Sequence, residues 1–367
     1  MAIFYAVILA LSAIAYSLFT LVISRGLLKK IEHGSSTALP AVAVIIAARN
    51  EAEKIGNLLA DLLQQDYAGS LAIYVANDRS QDETGILIDQ FARKHTHIHH
   101  LKITERSANM TPKKHALTQC IKRTSADIIV TTDADCRVGQ SWVSSMVKNM
   151  DADTGIIVGY SRIEGSGWFS KYQALDFAAT LVANAGLMKL GYNWSGTGQN
   201  LSYRRSAFTS IGGYNAVAEQ VTGDDIYLVQ TIPKKTGLKA RLNEDPSSFV
   251  KTAPMATFSG FVNQRVRWAS DARGMHERNT LFFIFLLSAF LTNAGILLGV
   301  VTGQFALPFY LVIAAKFFLE ALVLFLGARK FKYGSLLYLY PLWFLLQPVY
   351  ITYMGLMGLR GKFIWKP

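Results

Sequence analysis

The sequence is poor in cysteine and in charge. Two cysteines, Cys120 and Cys136, occur among 367 residues, which excludes a small secreted domain built on disulfides. Charged residues make up 17% of the chain and hydrophobic residues 51%, a balance too apolar for ordinary soluble domains. Part of the chain must therefore lie in lipid. A cleaved signal peptide is not indicated, because no basic residues precede the first apolar run and no small-residue cleavage site follows it.

Features of nucleic-acid-binding proteins are also missing. The formal net charge is +12, but the basic residues are scattered and no nucleic-acid-binding motif accompanies them. Anionic lipid headgroups and a diphosphate substrate explain this charge more simply, so we expect membrane lipids and no nucleic acid as partners. A histidine cluster spans residues 95–100. We interpret it as a surface loop running into a short strand, because no Cys or carboxylate at ligand spacing joins it.

Long apolar runs stand at both ends of the chain. Residues 3–23 carry no charge and are followed by Arg25, Lys29 and Lys30, which indicates a retained membrane helix with its basic flank in the cytoplasm. We therefore predict a multi-pass membrane protein with a cytoplasmic catalytic domain. The predicted segments are a transmembrane helix over 1–24, a linker over 25–39, a catalytic domain over 40–275, and a membrane region over 276–367 with spans at 281–301 and 305–328.

The last apolar run, residues 335–359, contains Pro341 and Pro348. If it crossed the membrane, the basic residues that follow it would lie outside, against the positive-inside rule. These residues are Arg360, Lys362 and Lys366. We predict a proline-broken re-entrant or interfacial hairpin here, with a full span as the alternative.

The region after Pro40 alternates short β-branched runs with amphipathic segments, which is typical of a parallel α/β sheet. Predicted strands cover 41–47, 71–76, 98–103 and 127–132, and predicted helices cover 51–64, 82–93 and 113–122. Ligands of such Rossmann-like sheets gather at the carboxyl ends of the strands. Several polar residues follow those ends, namely Arg49, Glu51, Asp78, Asp133 and Asp135. The pattern predicts that they converge on one crevice.

The acidic residues suggest transfer chemistry on a phosphorylated donor. Asp133 and Asp135, one residue apart after an apolar strand, can share a Mg²⁺ or Mn²⁺ ion, although acidic surface turns are also common. Asp78 can accept hydrogen bonds from a base or ribose, or can cap a helix. Lys113, at a predicted helix start, can contact a phosphate or remain a solvated lysine.

Two further groups of residues complete the set. Repulsion between Asp224 and Asp225 can raise the pKa of one carboxylate toward the range useful for a general base, with helix capping as the alternative. Gln264, Arg267 and Trp268 share one face if their segment is helical. There Arg267 can hold a diphosphate and Trp268 can stack on a sugar, or the segment can be an interfacial helix.

In this order the motifs resemble the membrane-bound family 2 glycosyltransferases, which include ceramide glucosyltransferases and the synthases of cellulose, hyaluronan and poly-N-acetylglucosamine. The resemblance covers roughly residues 40–275 and the membrane layout, and Gln264, Arg267 and Trp268 match the family motif (Q/R)xxRW on the acceptor and diphosphate side. It implies a GT-A nucleotide-diphospho-sugar transferase domain.

The resemblance also implies roles for the acidic residues. Asp78 contacts the nucleotide, Asp133 and Asp135 hold the metal and the diphosphate, and Asp225 is the catalytic base. Asp224 stands where the family usually has Glu, so a supporting carboxylate is kept.

Two shorter segments are similar to family segments. Residues 47–51, with Arg49 and Glu51, resemble the nucleotide-binding opening, and residues 198–204 resemble an acceptor-side segment.

We therefore expect an inverting, metal-dependent glycosyltransferase that moves a sugar from a nucleotide donor, UDP by resemblance, to a lipid or lipid-linked acceptor. A processive polysaccharide synthase, which could need a partner subunit, is the main alternative. A polyprenyl-phosphate sugar synthase is less consistent with the (Q/R)xxRW motif, and a catalytically silent scaffold or nucleotide-sugar sensor is less consistent with the complete set of acidic motifs.

Overall fold

The structure is a computed structural model that describes residues 2–30, 39–273 and 275–361. Most of the predicted linker after Lys30, together with Lys362 and Lys366, lies outside the described residues. The chain divides into two compact units. The sheet unit comprises Ile31–Glu164 and Gly191–Ala253, and the helical unit comprises Met1–Lys30, Gly165–Leu190 and Pro254–Pro367. Residues 165–190 and 254–275, which the sequence analysis assigned to the catalytic domain, thus belong to the helical unit.

The strands all belong to the sheet unit. They are β1 (Val42–Ala48), β2 (Leu71–Asp78), β3 (Ile98–Ile103), β4 (Ile128–Thr131), β5 (Cys136–Arg137), β6 (Thr154–Gly159), β7 (Ser161–Ile163), β8 (Leu201–Arg204), β9 (Lys239–Asn243) and β10 (Val250–Thr252).

The helices occur in both units. They are α1 (Ala2–Leu28), α2 (Ala52–Leu63), α3 (Thr84–Lys94), α4 (Pro112–Arg123), α5 (Trp142–Lys148), α6 (Trp168–Met188), α7 (Arg205–Ser210), α8 (Asp224–Thr236), α9 (Phe258–Ala269), α10 (Met275–Arg278), α11 (Thr280–Thr302), α12 (Leu307–Phe331) and α13 (Tyr340–Arg360).

The sheet unit is built on a seven-stranded sheet in the order β3-β2-β1-β4-β8-β6-β9. Strands β1 to β4 pair in parallel, as predicted, and β8 runs antiparallel between β4 and β6. Six of the seven residues of β1 are buried, as expected for a central strand covered on both faces. Helix α2 buries its apolar side chains at helical spacing against this core, namely Ile55, Leu58, Leu59 and Leu62. The predicted α/β fold is confirmed.

The helical unit contains four helices that are long and apolar enough to cross a membrane, within the residues described. They are Ile3–Leu28, Thr280–Thr302, Leu307–Phe331 and Gly334–Arg360. Small residues let α1 approach α6 closely, because a Cβ at Gly26 of α1 would collide with the backbone of Gly186 in α6. Two opposite charges in the middle of α12 are buried and neutralise each other, because Lys316 Nζ lies 2.9 Å from the Glu320 carboxylate.

The predicted hairpin near the carboxyl terminus is wrong. Residues Gly334–Leu339 form a 3-10 helix, and α13 then continues without reversal to Arg360. Pro341 lies in the first turn of α13, where the helix requires no donor from its backbone nitrogen. Pro348 lies inside α13, where it removes a single backbone hydrogen bond and does not force a turn.

Candidate active site

The loops after β1 and β2 are joined by side chains at the carboxyl edge of the sheet. Asn50, in the left-handed region at φ 52°, donates its backbone N–H to Ser80 Oγ at 3.0 Å. The Glu51 N–H donates to Thr84 Oγ1 at 2.8 Å. The first loop, which carries Arg49 and Glu51, is thereby fixed beside the loop that follows Asp78. Both loops were predicted from the sequence, whereas the residues that join them were not.

Asp78 ends β2 and is buried. Its neighbour Arg79, at φ 55°, turns back so that both Nε and Nη2 lie 2.7 Å from Asp78 Oδ1. Arg49, just after β1, has a buried Nε atom without a hydrogen-bond partner in the described part of the chain. This corner therefore offers a partly neutralised carboxylate and an available donor, a combination suited to the polar edges of a nucleotide.

Asp133 and Asp135 follow β4 and remain partly open, with side chains 37% and 27% exposed. Lys113 Nζ lies 2.8 Å from Asp133 Oδ1, and Lys54 Nζ lies 4.0 Å from Asp135 Oδ2. No group of three or more His, Cys, Asp or Glu residues that could hold a metal occurs within the described residues. Two carboxylates nevertheless fit Mg²⁺ or Mn²⁺, because such ions retain waters and take further oxygens from substrate phosphates.

Lys113 lies in the first turn of α4 and faces several acidic residues. Burial disfavours its charged form, but the attraction of Asp133 and Asp224, with the Asp133 hydrogen bond and Asp225, outweighs burial and raises the Lys113 pKa above its usual value. The ammonium group therefore stays charged at neutral pH. It provides a positive charge next to Asp133, which reduces the repulsion between that carboxylate and a diphosphate.

Asp225 lies at the start of α8 and is tied to the end of β4 through Gly198. Its Oδ2 accepts the Gly198 N–H at 2.9 Å, and the Gly198 carbonyl accepts Thr131 Oγ1, also at 2.9 Å. A Cβ placed on Gly198 would lie 3.6 Å from both Asp224 Oδ2 and Lys113 Nζ. The folded chain thus gathers the Asp224-Asp225 pair and Lys113 around Gly198. Gly198 belongs to the segment that resembles an acceptor-side segment of the family, but its contact with Asp225 was not predicted from the sequence.

The rest of the segment 198–204 serves the sheet. Asn200 is fully buried, accepts the Trp142 Nε1–H and donates to the Tyr160 and Ser248 carbonyls. Residues Leu201–Arg204 form β8. Of this segment, the Gly198 backbone is the part that bonds a candidate catalytic residue.

Gln264, Arg267 and Trp268 lie on α9, so their predicted helical spacing is confirmed. They belong to the helical unit. Gln264 Oε1 accepts Arg265 Nη1–H at 2.7 Å, and the Arg265 guanidinium lies 4.1 Å from the Trp268 ring centroid. Arg265 itself was not singled out from the sequence, because it falls between the motif positions.

Comparison with known proteins supports a single family. The family model described as glycosyl transferase family 21 matches residues 5–366. Among curated proteins, the beta-monoglucosyldiacylglycerol synthase of Synechocystis is 27% identical over 246 residues, which cover 64% of this chain and 48% of that protein. The poly-beta-1,6-N-acetyl-D-glucosamine synthase of Staphylococcus aureus is 27% identical over 248 residues, 65% of this chain and 55% of that protein. The chain thus matches about half the length of these relatives.

Among solved structures, the mannosyltransferase PcManGT from Pyrobaculum calidifontis in complex with GDP-Man and Mn²⁺ has a similar fold. The TM-score is 0.69 at 20% sequence identity, covering 99% of this chain and 100% of that one. At this identity the likeness establishes the shared fold.

Proposed function

The chain belongs to glycosyl transferase family 21, and we propose that it transfers a sugar with inversion from a UDP-sugar to a lipid or lipid-linked acceptor. It is a glycosyltransferase by family; donor, acceptor and mechanism are proposals. The observation that carries the proposed mechanism is the contact set around Gly198. There Asp225, a candidate base, lies in the same group as Lys113, which pairs with the first aspartate of the DxD motif.

In the proposed reaction Asp225 accepts the proton of an acceptor hydroxyl. The hydroxyl oxygen forms a bond to the anomeric carbon as the bond from that carbon to the diphosphate breaks, and the electron pair leaves with the nucleoside diphosphate. One displacement inverts the anomeric configuration. Asp225 is held in place for this role, because its two carboxylate oxygens accept N–H groups from Gly198 and Ile226.

Other side chains bind and orient the donor. Asp133 and Asp135 would hold Mg²⁺ or Mn²⁺, which when bound supplies positive charge to the diphosphate. Lys113 exchanges part of its contact with Asp133 for a phosphate oxygen. Asp78 contacts the nucleotide, with Arg49 and Glu51 in the neighbouring loop.

Residues outside the donor corner have supporting roles. Asp224 reinforces the negative potential beside Asp225, and Gln264, Arg267 and Trp268 act on the acceptor and diphosphate side, as the family resemblance implies.

A lipid acceptor is favoured over a growing polysaccharide. Within the described residues four helices can span a membrane, a small number from which to enclose a polymer channel. The relative named beta-monoglucosyldiacylglycerol synthase agrees with a lipid product, whereas the relative named poly-beta-1,6-N-acetyl-D-glucosamine synthase supports the processive alternative. Transfer by a processive enzyme could require a partner subunit.

The proposed function is tested by product analysis. Membranes containing the protein are incubated with a panel of radiolabelled UDP- and GDP-sugars and Mn²⁺, and the products are separated into lipid-soluble and polymeric fractions. We expect label from one UDP-sugar in the lipid fraction, as a single-sugar adduct. Polymeric label would favour the processive alternative, and transfer from a GDP-sugar alone would contradict the proposed donor.

Membrane topology gives a second prediction, with the sheet unit proposed to be cytoplasmic. Because α13 is one continuous helix of spanning length, we expect the carboxyl terminus outside, despite its basic residues. A cysteine placed after Lys366, in a background lacking Cys120 and Cys136, should react with a membrane-impermeant maleimide in intact cells. Lys29→Cys, after α1, serves as the control and should react only after permeabilisation. If the cysteine after Lys366 and the cysteine at position 29 both reacted only after permeabilisation, the prediction that α13 crosses the membrane would be contradicted.

A further inference from the structure

The helical unit contains a buried polar cluster that the proposed reaction does not use. Its centre is Asp176 of α6, whose side chain is 7% exposed. Arg265 Nε donates to Asp176 Oδ2 at 2.8 Å, Trp343 Nε1 donates to Oδ1 at 3.2 Å, and Tyr350 Oη donates to Oδ2 at 3.1 Å. We call these four residues the Asp176 cluster. It joins α6, α9 and α13 within the helical unit.

Donors outnumber acceptors in and beside this cluster. Both Asp176 oxygens are in use, and Arg265 directs Nη1 to Gln264. Arg265 Nη2 remains buried without a hydrogen-bond partner among the described residues, and so does Gln347 Nε2. Arg265 and Gln347 are both buried, each with 4% of its surface exposed. Buried donors that find no partner are unfavourable and rare, so an unmet pair of them points to a missing acceptor.

Gln347 is placed by helical spacing next to the cluster. It follows Trp343 by four residues and precedes Tyr350 by three, all within α13. Residues at these spacings share one helix face. Because Trp343 and Tyr350 both bond Asp176, the face that carries Gln347 is the one turned toward the cluster. The two unpartnered donors therefore belong to the same region of the helical unit.

Charge and surroundings restrict the missing acceptor. Asp176 already neutralises Arg265, so a phosphate or carboxylate would leave an uncompensated buried negative charge. The Arg265 guanidinium packs on the rings of Phe261 and Trp268, with centroid distances of 4.8 and 4.1 Å. A neutral oxygen on an otherwise apolar molecule satisfies both conditions. Ester or amide carbonyls and hydroxyls of uncharged lipids have this chemistry.

We propose that Arg265 and Gln347 bind a neutral carbonyl or hydroxyl oxygen of the acceptor lipid. The inference rests on the proposed function, because it takes the acceptor to be a lipid, and it extends that proposal by naming an uncharged headgroup and the residues that recognise it. It predicts that phosphorylated lipid acceptors are bound less well than neutral glycerolipids or ceramides.

Binding is tested without turnover. The protein is placed in phosphatidylcholine nanodiscs that contain dioctanoylglycerol. The protein is then released from the nanodiscs in the mass spectrometer, and the fraction that keeps bound dioctanoylglycerol is measured. Gln347→Leu has a similar size and removes one unpartnered donor, so its thermal unfolding temperature should not fall. We expect it to retain at least about fivefold less lipid, the scale of one buried hydrogen bond.

The matched control is Thr292→Val in α11. Thr292 is also buried, and its hydroxyl has no partner in the described part of the chain, but it lies outside the Asp176 cluster. This variant should retain dioctanoylglycerol like the wild type. Equal retention by wild type and Gln347→Leu, or no retention by wild type, would overturn the inference. Product analysis separates the two proposals: retained lipid without glycolipid product would count against the proposed function alone.

Discussion

Replacing Asp225 with Asn should lower kcat at least about 100-fold, which is the usual scale for loss of a general base. The affinity for the donor should change little. The amide keeps an oxygen that can accept the Gly198 N–H, which Asp225 Oδ2 accepts at 2.9 Å, so the local backbone should be retained. The substitution removes the ability to take a proton from the acceptor. Steady-state kinetics give kcat, and calorimetry with UDP or the intact donor gives affinity.

Asp153→Asn is the matched control for this experiment. Asp153 belongs to the same unit, is 46% exposed, and pairs with Lys239 and Arg241 beside the amino end of β6, at the edge of the sheet opposite Asp133. Its replacement should leave kcat within about twofold, because exposed ion pairs contribute only about 0–1 kcal/mol to stability and Asp153 lies away from the candidate site. If Asp225→Asn instead abolished donor binding with kcat preserved at saturation, Asp225 would belong to the donor site and another base would be needed.

Replacing Asp135 with Ala should reduce turnover by more than about 1,000-fold, because several kcal/mol of transition-state stabilisation is a typical contribution of a bound metal. Asp135 is partly exposed and makes two long contacts, with Lys54 Nζ at 4.0 Å and with Cys136 Sγ at 3.8 Å, so the variant should remain folded and in the membrane. Calorimetric titration with Mn²⁺ in the presence of UDP should show lost metal binding. Retained metal-dependent turnover would refute the metal assignment.

Lys113→Met should give a different result from Asp135→Ala when turnover and Mn²⁺ dependence are measured. It removes the cation that pairs with Asp133 but leaves both carboxylates of the DxD motif. Donor KM should rise about tenfold, the value of a lost charge-assisted hydrogen bond, while Mn²⁺ dependence persists. If Lys113→Met and Asp135→Ala both removed metal dependence, the cation and the carboxylate would not have separate roles.

Local sequence predicted much of the fold. Strand β1 and helix α2 appear where hydrophobic periodicity placed them, because these patterns are set by side chains within a few residues. The convergence of Asp78 and Asp133 at one edge also followed from sequence, since parallel strands present their carboxyl ends together. Charge bias misled at α13, because positive-inside statistics describe loops and do not determine whether a proline reverses a helix.

Tertiary structure decided the contacts that connect distant segments. Sequence alone identified Asp225, Lys113 and the DxD motif as separate candidates. Folding places Gly198 between Asp225 and Lys113, and the backbone N–H of Gly198 bonds Asp225. A backbone contact of this kind cannot be predicted from residue types. In the same way, Arg265 occupies a variable position of its motif, and its role is visible only in the folded chain. There it pairs with buried Asp176, which lies 89 residues earlier in the sequence. Whether a segment forms a helix or a strand depends mainly on residues close to it in the sequence. Which side chains pair by hydrogen bonds, and which buried donors stay without a partner, is decided only when the helices and strands pack together.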